Sequence, residues 1–246
     1  MRQAKAQFIS IFIMAALSVT IITGLDSVWK TIEDNSGIMY AATNISDMWV
    51  YVSNPTEKQM WSISRIQGIE TVEKRFTLNT ASDLSGRPTL KVYAVSSQSI
   101  LDRPILSQGS LNSKSGAILD ENFAKKHGLG LNDKIRVKLN NKWISFTIEG
   151  LALSSEHIYS NKGTTTVMPD SRKYGFLIIH EDTLKGIYGQ KIYNQLCVRL
   201  DADADVTRVK NEIGRIFGDD LIGTVAKGED SSTNNIYANI NQFRTL

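Results

Sequence analysis

Chemically reactive side chains are scarce in this chain of 246 residues. It has one cysteine and therefore cannot form an internal disulfide, and Cys197 lies in an apolar run, which predicts a buried and inert thiol. The three histidines, His127, His157 and His180, are too far apart in sequence to form a local metal-binding motif. The formal net charge is only +3 and no long basic run occurs, so nucleic-acid binding has little support.

Nucleotide and metal motifs are lacking as well. No Walker A loop occurs, so any ATP that drives this protein must be hydrolysed by another chain, and the sequence predicts no cofactor of its own. Asp201, Asp203, Asp205 and Glu212 match four positions of an EF-hand loop, but Val206 occupies the position where the loop needs glycine. We interpret the aspartates as the acidic beginning of a helix, and we predict no metal site.

Catalytic patterns are weak. Ser27 and Lys30 fit the Ser-x-x-Lys pattern of penicillin-binding enzymes, but the companion motifs are missing. His180 is followed by Glu181 and Asp182 at a junction where acids cap a helix. The sequence therefore predicts a protein that is not an enzyme. An anchored envelope enzyme that uses Ser27 or His180 is the weaker alternative.

One apolar segment is long enough to matter. Residues 8–25 carry no charge over about 18 positions, and Arg2 and Lys5 precede them. We expect a transmembrane helix in contact with membrane lipid, with the N-terminal residues 1–7 in the cytoplasm and the bulk of the chain outside it. A cleaved signal peptide is the competing interpretation, but the apolar run is longer than usual and no clear cleavage site follows it.

The remaining pattern predicts an α+β fold in two parts. The first helix is expected to continue outward as a stalk, and a split β-α-β subdomain follows, with a small β-rich subdomain inserted into it. The predicted divisions are a stalk helix at 26–45, an α+β subdomain at 46–96 and 172–226, an inserted subdomain at 97–171, and a second stalk at 227–246.

Two local patterns support this organisation. Asp120 is a suitable N-cap for a short helix that ends at Gly128, where a glycine tolerates positive φ. Asn140 and Asn141 lie between two alternating runs and predict a two-residue hairpin turn, because asparagine also tolerates positive φ.

Several short segments of the sequence resemble those of a known family. The chain resembles the extracytoplasmic domain of FtsX-like permeases, the MacB-like core domain of ABC systems. The segments that carry the resemblance are Phe8-Ile-Ser-Ile-Phe, Leu106-x-x-Gly109, Gly116 to Asp133, and Phe146-Thr-Ile-Glu-Gly150. Ser154 to Tyr159, Met168-Pro-Asp170 and Tyr174-Gly175 are similar to a stretch in such permeases from Gram-positive bacteria. Asn132-Asp133 stands where the family usually has Gly-Asp.

The resemblance implies a permease subunit that works with a separate cytoplasmic ABC ATPase, and it allows for a second permease copy. Such proteins export or extract a peptide, lipid or drug, or control an envelope partner. The family's later membrane helices and its coupling helix are absent from this sequence, so we expect a longer permease or a truncated relative. A single-pass assembly or sensor protein is the alternative.

For contacts with a partner or substrate, the sequence favours the loop Ser155, Glu156, His157, Ile158 and Tyr159, because an amphipathic loop beside an insert suits recognition. The alternative is that Ile158 and Tyr159 only pack the two subdomains together.

Overall fold

A long helix leads into the folded part of the chain. The computed structural model describes residues 2–110, 116–157 and 170–227, and within the first helix it describes the side chains of 11–24 and 37–43. Helix α1 covers Arg2–Thr43 without interruption. Eight large apolar side chains between Ile11 and Ile22 are exposed. Judged over the described residues, no helix reaches the combination of length and hydropathy that a membrane crossing needs.

In the described part of the chain, ten strands and four further helices follow α1. The strands are β1 (Met48–Val52), β2 (Ile69–Ala81), β3 (Thr89–Val95), β4 (Ile105–Gly109), β5 (Gly116–Asp120), β6 (Lys134–Leu139), β7 (Lys142–Leu153), β8 (Tyr174–His180), β9 (Gln195–Leu200) and β10 (Leu221–Ala226). The helices are α2 (Glu57–Ile63), α3 (Glu121–His127), α4 (Asp182–Tyr188) and α5 (Val206–Phe217), with short 3₁₀ turns at Ser155–His157 and Gly218–Asp220.

The first section of sheet has the order β10-β1-β9-β2, and all its pairs are antiparallel. With α2 after β1 and α5 after β9, this is the split β-α-β arrangement with both helices packed on one face. Apolar residues at alternate strand positions meet the helices there, as the period of two requires. Their buried members are Met48, Val50, Val52, Ile63, Ile66, Ile69, Leu196, Val198, Val209, Ile213 and Phe217.

The second section of sheet continues from β2 in the order β2-β3-β8-β5-β7-β4, and β6 pairs with the first half of β7. The sheet curls until β6 meets the end of β2, where Ser82 bridges to Val137 and Thr80 donates a hydrogen bond to the carbonyl of Lys138 at 2.6 Å. The enclosed core contains Phe76, Leu90, Val92, Leu119, Phe123, Ile135, Val137, Phe146, Ile148, Leu177 and Ile179 among its members. This section is therefore nearly closed around its own core.

Strand β2 belongs to both sections. Its first half pairs with β9 and its second half, from Phe76 onward, pairs with β3. Strand β8 pairs in parallel with β3 and antiparallel with β5. Residues 174–180 were predicted to lie in the α+β subdomain at 46–96 and 172–226. In the structure β8 lies between β3 and β5 in the curled section, and its five central residues are buried. The boundaries of the two subdomains stay a prediction.

Most predicted elements are confirmed. Asp120 caps α3 by accepting from the backbone of Asn122 and Phe123 at 2.8 and 3.2 Å, and Gly128 ends the helix with φ of 65°. Asn140 and Asn141 form the hairpin turn with φ of 46° and 58°. The α+β fold class predicted from sequence is therefore confirmed.

Candidate functional site

The face of the first sheet section opposite to its helices is polar. Cross-strand pairing places Trp49, Cys197 and Glu73 in one row, and Arg75 opposite Gln195 in the next. Such side chains would face water on an ordinary two-layer domain. Here this face is covered by the end of α1, by the loop 96–104 and by the 3₁₀ turn Ser155–His157. As a result, four of its side chains are buried: Trp49, Cys197, Arg75 and Gln195.

Arg75 is the centre of this buried face. Its guanidinium donates two parallel hydrogen bonds of 2.8 Å to the carboxylate of Glu156, and its Nε donates to Gln195 Oε1 at 2.8 Å. The guanidinium carbon lies 4.5 Å from the centre of the Tyr93 ring. A planar fork with five donors suits this arrangement, which a lysine could not reproduce. Arg75 therefore fixes three separate chain segments relative to one another.

Asp102 ties the loop to the beginning of β1. Its carboxylate accepts from Ser46 N at 2.7 Å, from Ser46 Oγ at 2.8 Å and from Trp49 Nε1 at 3.0 Å, and it lies 3.5 Å from Arg75 Nη1. Burial, with the nearby charge of Glu156, raises the pKa of Asp102, and the charge of Arg75 opposes this shift. The Asp102 carboxylate thus needs all of these donors to remain in the interior.

The C-terminal end of α1 is held by the same cluster. Arg103 N donates to the carbonyl of Thr43 at 2.8 Å, and Asp102 N donates to the carbonyl of Asn44 at 3.1 Å. Asn44, with φ of 48°, ends the helix in the left-handed conformation typical of a helix stop. A hydrogen bond of 2.9 Å joins the hydroxyls of Thr43 and Ser155. The carbonyl groups of Thr43 and Asn44, which at many helix ends would bond to water, therefore accept hydrogen bonds from the loop 96–104.

We call this arrangement the helix joint: Thr43, Asn44, Ser46, Arg75, Asp102, Ser155 and Glu156. Around it, Tyr40, Ile45, Trp49, Leu101 and Cys197 form an apolar cluster. The bonds of Thr43 and Asn44 join the end of α1 to the loop 96–104 and to the 3₁₀ turn Ser155–His157. Asp102 and Arg75 in turn join these two segments to the beginning of β1 and to β2.

Two of the five residues predicted as partner contacts, Ser155 and Glu156, lie in this joint, and His157 lies beside it. Ser155 is 1% exposed and Glu156 is 9% exposed. His157 Nε2 is 2.8 Å from the Tyr93 hydroxyl, and the imidazole stacks on Phe176. Burial, aided by the charge of Lys91, lowers the pKa of His157 to about 3, so the ring is neutral at neutral pH. These contacts are internal; contact with a partner stays a prediction, and Ile158 and Tyr159 lie outside the described residues.

A cavity of about 330 Å³ adjoins the joint, and Arg75, Asp102 and Glu156 form part of its wall. The rest of its lining combines apolar side chains from β3, β5 and β8 with serines of the loop after β3. A cavity of this size with a few convergent polar groups has the general character of a ligand site.

The other reactive residues do not assemble into a catalytic group. His180 Nδ1 accepts from the backbone N–H of Asp182 at 3.2 Å, which is a helix-capping role. His127 packs on Phe123 and contacts the carbonyl of Arg172. Ser27 lies in a stretch of α1 whose side chains are outside the described part of the structure. Burial raises the pKa of the Cys197 thiol, as expected for an inert cysteine. Across the described ranges, no three metal-ligating side chains gather in one place.

The family of the chain follows from its sequence match. The MacB-like periplasmic core domain matches residues 8–216, which is most of the chain. The chain belongs to this family. It is thus an extracytoplasmic domain of a MacB- or FtsX-like ABC transporter permease, as the resemblance in the sequence implied. Permease domains of this kind are generally non-catalytic, and ABC permeases work with ATPase subunits.

Solved structures show more distant likenesses. The extracellular domain of the noncanonic ABC-type transporter YknZ from Gram-positive bacteria shares 11% identity over 71% of this chain and 93% of that chain, with a TM-score of 0.46. The periplasmic region of MacB from Actinobacillus actinomycetemcomitans shares 13% over 79% and 92%, with a TM-score of 0.44. A domain of a putative permease protein from Porphyromonas gingivalis shares 14% over 68% and 72%, with a TM-score of 0.40. No curated protein sequence matches this chain. The family assignment therefore rests on the match over residues 8–216.

Proposed function

We propose that this domain couples a separate cytoplasmic ATPase to work outside the membrane, namely export or extraction of a peptide, lipid or drug, or control of an envelope partner. The observation that supports this proposal is the helix joint. In it, the end of α1 is bonded directly to the loop after β3 and to the 3₁₀ turn Ser155–His157. Through Asp102 and Glu156 these two segments are bonded to the beginning of β1 and to β2. A displacement of α1 along its axis would therefore act first on the loop and the 3₁₀ turn, and through them on the two strands.

The described part of α1 supports an anchoring role for its first half. Between Ile11 and Ile22, Phe12, Ile13, Met14, Leu17, Val19 and Ile21 are also exposed. A row of large exposed apolar side chains is unusual for a helix in water. We propose that this part of α1 lies in the lipid bilayer, with residues 1–7 on the cytoplasmic side and the domain on the other.

The test uses the 2.9 Å contact between Thr43 and Ser155. Hydroxyl oxygens this close place the two residues in range for a disulfide. The double variant Thr43→Cys, Ser155→Cys is made with Cys197→Ala, so that no other thiol is present. The permease is captured from the membranes of its native cells, and the captured material is searched for an ATPase that contains a Walker motif.

The rate of disulfide formation is then measured with ATP, with ATP and vanadate, and without nucleotide. If the joint transmits movement, the rate changes severalfold with the nucleotide state, and a Walker-B variant of the ATPase abolishes the change. A control pair, Lys138→Cys with Trp143→Cys, joins neighbouring residues of one hairpin and should show one rate throughout. Capture of no ATPase, or equal rates at the joint in every state, would contradict the proposal and favour an assembly or sensor protein.

A further inference from the structure

The cavity beside the helix joint has an apolar floor. Tyr93, Ile178 and Ile118 are cross-strand neighbours on β3, β8 and β5, and all three line the cavity. Leu106 of β4 and Val95 add aliphatic surface beside them. Ile118 and Ile178 are 4% and 5% exposed, so the floor belongs to the domain's interior rather than to its outer surface. A floor of this composition favours an aliphatic ligand body.

Part of the cavity lining is polar and includes a cation. Ser96, Ser97 and Ser99 line the cavity, together with Arg103 and His180. The backbone of Arg103 is fixed by its bond to Thr43. Within the described residues, no carboxylate pairs with the Arg103 guanidinium, and its side chain is exposed.

The acidic groups of the cavity wall are already engaged. Both oxygens of Glu156 accept from Arg75, and those of Asp102 accept from Ser46 and Trp49. Arg75 offsets one of the two carboxylate charges, and the hydrogen bonds of Ser46 and Trp49 stabilise the other without cancelling it. The group left to attract a ligand by charge is Arg103, whose planar fork suits a carboxylate or a phosphate.

We propose that this cavity binds an anionic amphiphile: an aliphatic body in the cavity and a carboxylate or phosphate at Arg103 and the loop serines. A volume of about 330 Å³ corresponds to roughly eleven water volumes, and hence to a body of about ten non-hydrogen atoms. The assignment of a role to this binding rests on the proposed function, because the ligand would touch Arg75, Asp102 and Glu156 and so the joint that holds α1.

Binding is measured on the full chain in phosphatidylcholine nanodiscs, with empty nanodiscs as the blank. The probe is octanoate, titrated by calorimetry and checked by ligand-observed NMR. Butyrate has the same charge with a shorter body, and octylammonium has a matched body with the opposite charge. We expect saturable binding of octanoate, at least about tenfold weaker binding of butyrate, and no saturable binding of octylammonium. If dihexanoyl phosphatidate displaces octanoate, the natural source of the anion is a lipid phosphate. If it does not, the natural source is a free carboxylate. Either result supports the site.

Two variants with matched controls locate the binding. Arg103→Gln should weaken octanoate at least about tenfold, whereas Arg215→Gln, an exposed arginine on α5 outside the cavity, should not. Leu106→Glu places a like charge in the cavity and should abolish binding. Ile105→Glu, its neighbour on the same strand but not in the lining, should leave binding unchanged.

No binding above the blank, equal binding of octylammonium, or binding unaffected by both Arg103→Gln and Leu106→Glu would overturn the proposal. The measurement needs neither ATP nor a partner ATPase. Its failure would leave the coupling role untouched, and failure of the cross-linking test would leave the ligand site untouched.

Discussion

Arg75 and Glu156 form a two-bond ion pair in which both side chains are more than nine-tenths buried. The partners are 81 positions apart in sequence, and the pair lies between the strands and the 3₁₀ turn that covers them. Burial alone would raise the pKa of Glu156, but the charge and hydrogen bonds of Arg75 outweigh it, so the pKa of Glu156 is lowered. The carboxylate remains ionised at neutral pH because Arg75 is present.

Replacing only one partner of this ion pair should destabilise the fold. We expect Glu156→Ala to lower the free energy of unfolding by about 3–5 kcal/mol, because it leaves a buried guanidinium with only the more distant Asp102 as a counter-charge. The double variant Arg75→Met, Glu156→Leu should lose less than the two single variants together. Denaturant unfolding followed by circular dichroism measures all three.

The pair Lys125–Glu121 on α3, in which the lysine is exposed and the glutamate is 15% exposed, is the control for that series. Lys125→Ala should change the free energy of unfolding by less than about 1 kcal/mol, because the lysine of this pair is solvated and such a pair contributes little. Equal losses for Lys125→Ala and Glu156→Ala would show that the joint is not a significant source of stability.

Periodic elements could be predicted from sequence, and β4 could not. The helix α5 begins directly after the aspartates that were predicted to be its acidic beginning, and α3 lies between its predicted cap Asp120 and its predicted end Gly128. Strand β4 was missed because all five of its residues are exposed and no alternation marks it. Its pairing with β7 comes from tertiary context, which overrides weak local preference.

The helix joint could not be predicted because its members are far apart in sequence: Glu156 is 81 positions from Arg75. Glu73 and Arg75 are two positions apart in β2, so their side chains share a face. The same strand also carries Glu70 and Lys74, so its charges alone do not distinguish a buried polar cluster from an ordinary solvated strand.

Asp120 predicts a specific pH dependence. Burial raises its pKa from 3.8 to about 6, although the helix N–H groups it caps oppose the shift. Between about pH 4 and pH 6 the unfolded chain has released this proton and the folded chain retains it. The contribution of Asp120 to the free energy of unfolding therefore falls as the pH rises through this window.

The variant Asp120→Asn keeps a capping side chain and removes the titration. We expect its stability relative to the original chain to increase from pH 4 to pH 7, as measured by denaturant unfolding at each pH. Asp205→Asn, at the exposed N-cap of α5, is the matched control for the loss of a capping carboxylate. Parallel curves for Asp120→Asn and the original chain would mean that Asp120 titrates normally in the folded state.

The hairpin between β6 and β7 offers a test of backbone strain. Both turn residues have positive φ, which asparagine tolerates and glycine prefers. Asn141→Gly should leave the melting temperature unchanged or raise it, whereas Asn141→Val should lower the stability by about 1–2 kcal/mol. Asn140→Gly should be less favourable than Asn141→Gly, because the Asn140 side chain donates to the carbonyl of Ile187 at 2.9 Å. Equal effects of glycine at the two positions would show that this hydrogen bond adds nothing.

Replacement by alanine should lower the free energy of unfolding at one glycine, Gly175, and raise it at another, Gly186. A Cβ on Gly175, at the beginning of β8, would lie 2.7 Å from the Cβ of Phe123, a fully buried residue of the curled section's core. Gly175→Ala must displace α3 from the sheet, and we expect a loss of about 1–3 kcal/mol. A Cβ on Gly186, exposed in α4, meets nothing within 4 Å, and Gly186→Ala should add about 0.5–1 kcal/mol through its better helix propensity. Thermal and denaturant unfolding of the two variants measure the difference. Equal stability of Gly175→Ala and Gly186→Ala would show that α3 does not pack closely against β8. It would also contradict the inference that the curled core supports the cavity floor, which lies on the opposite face of β8.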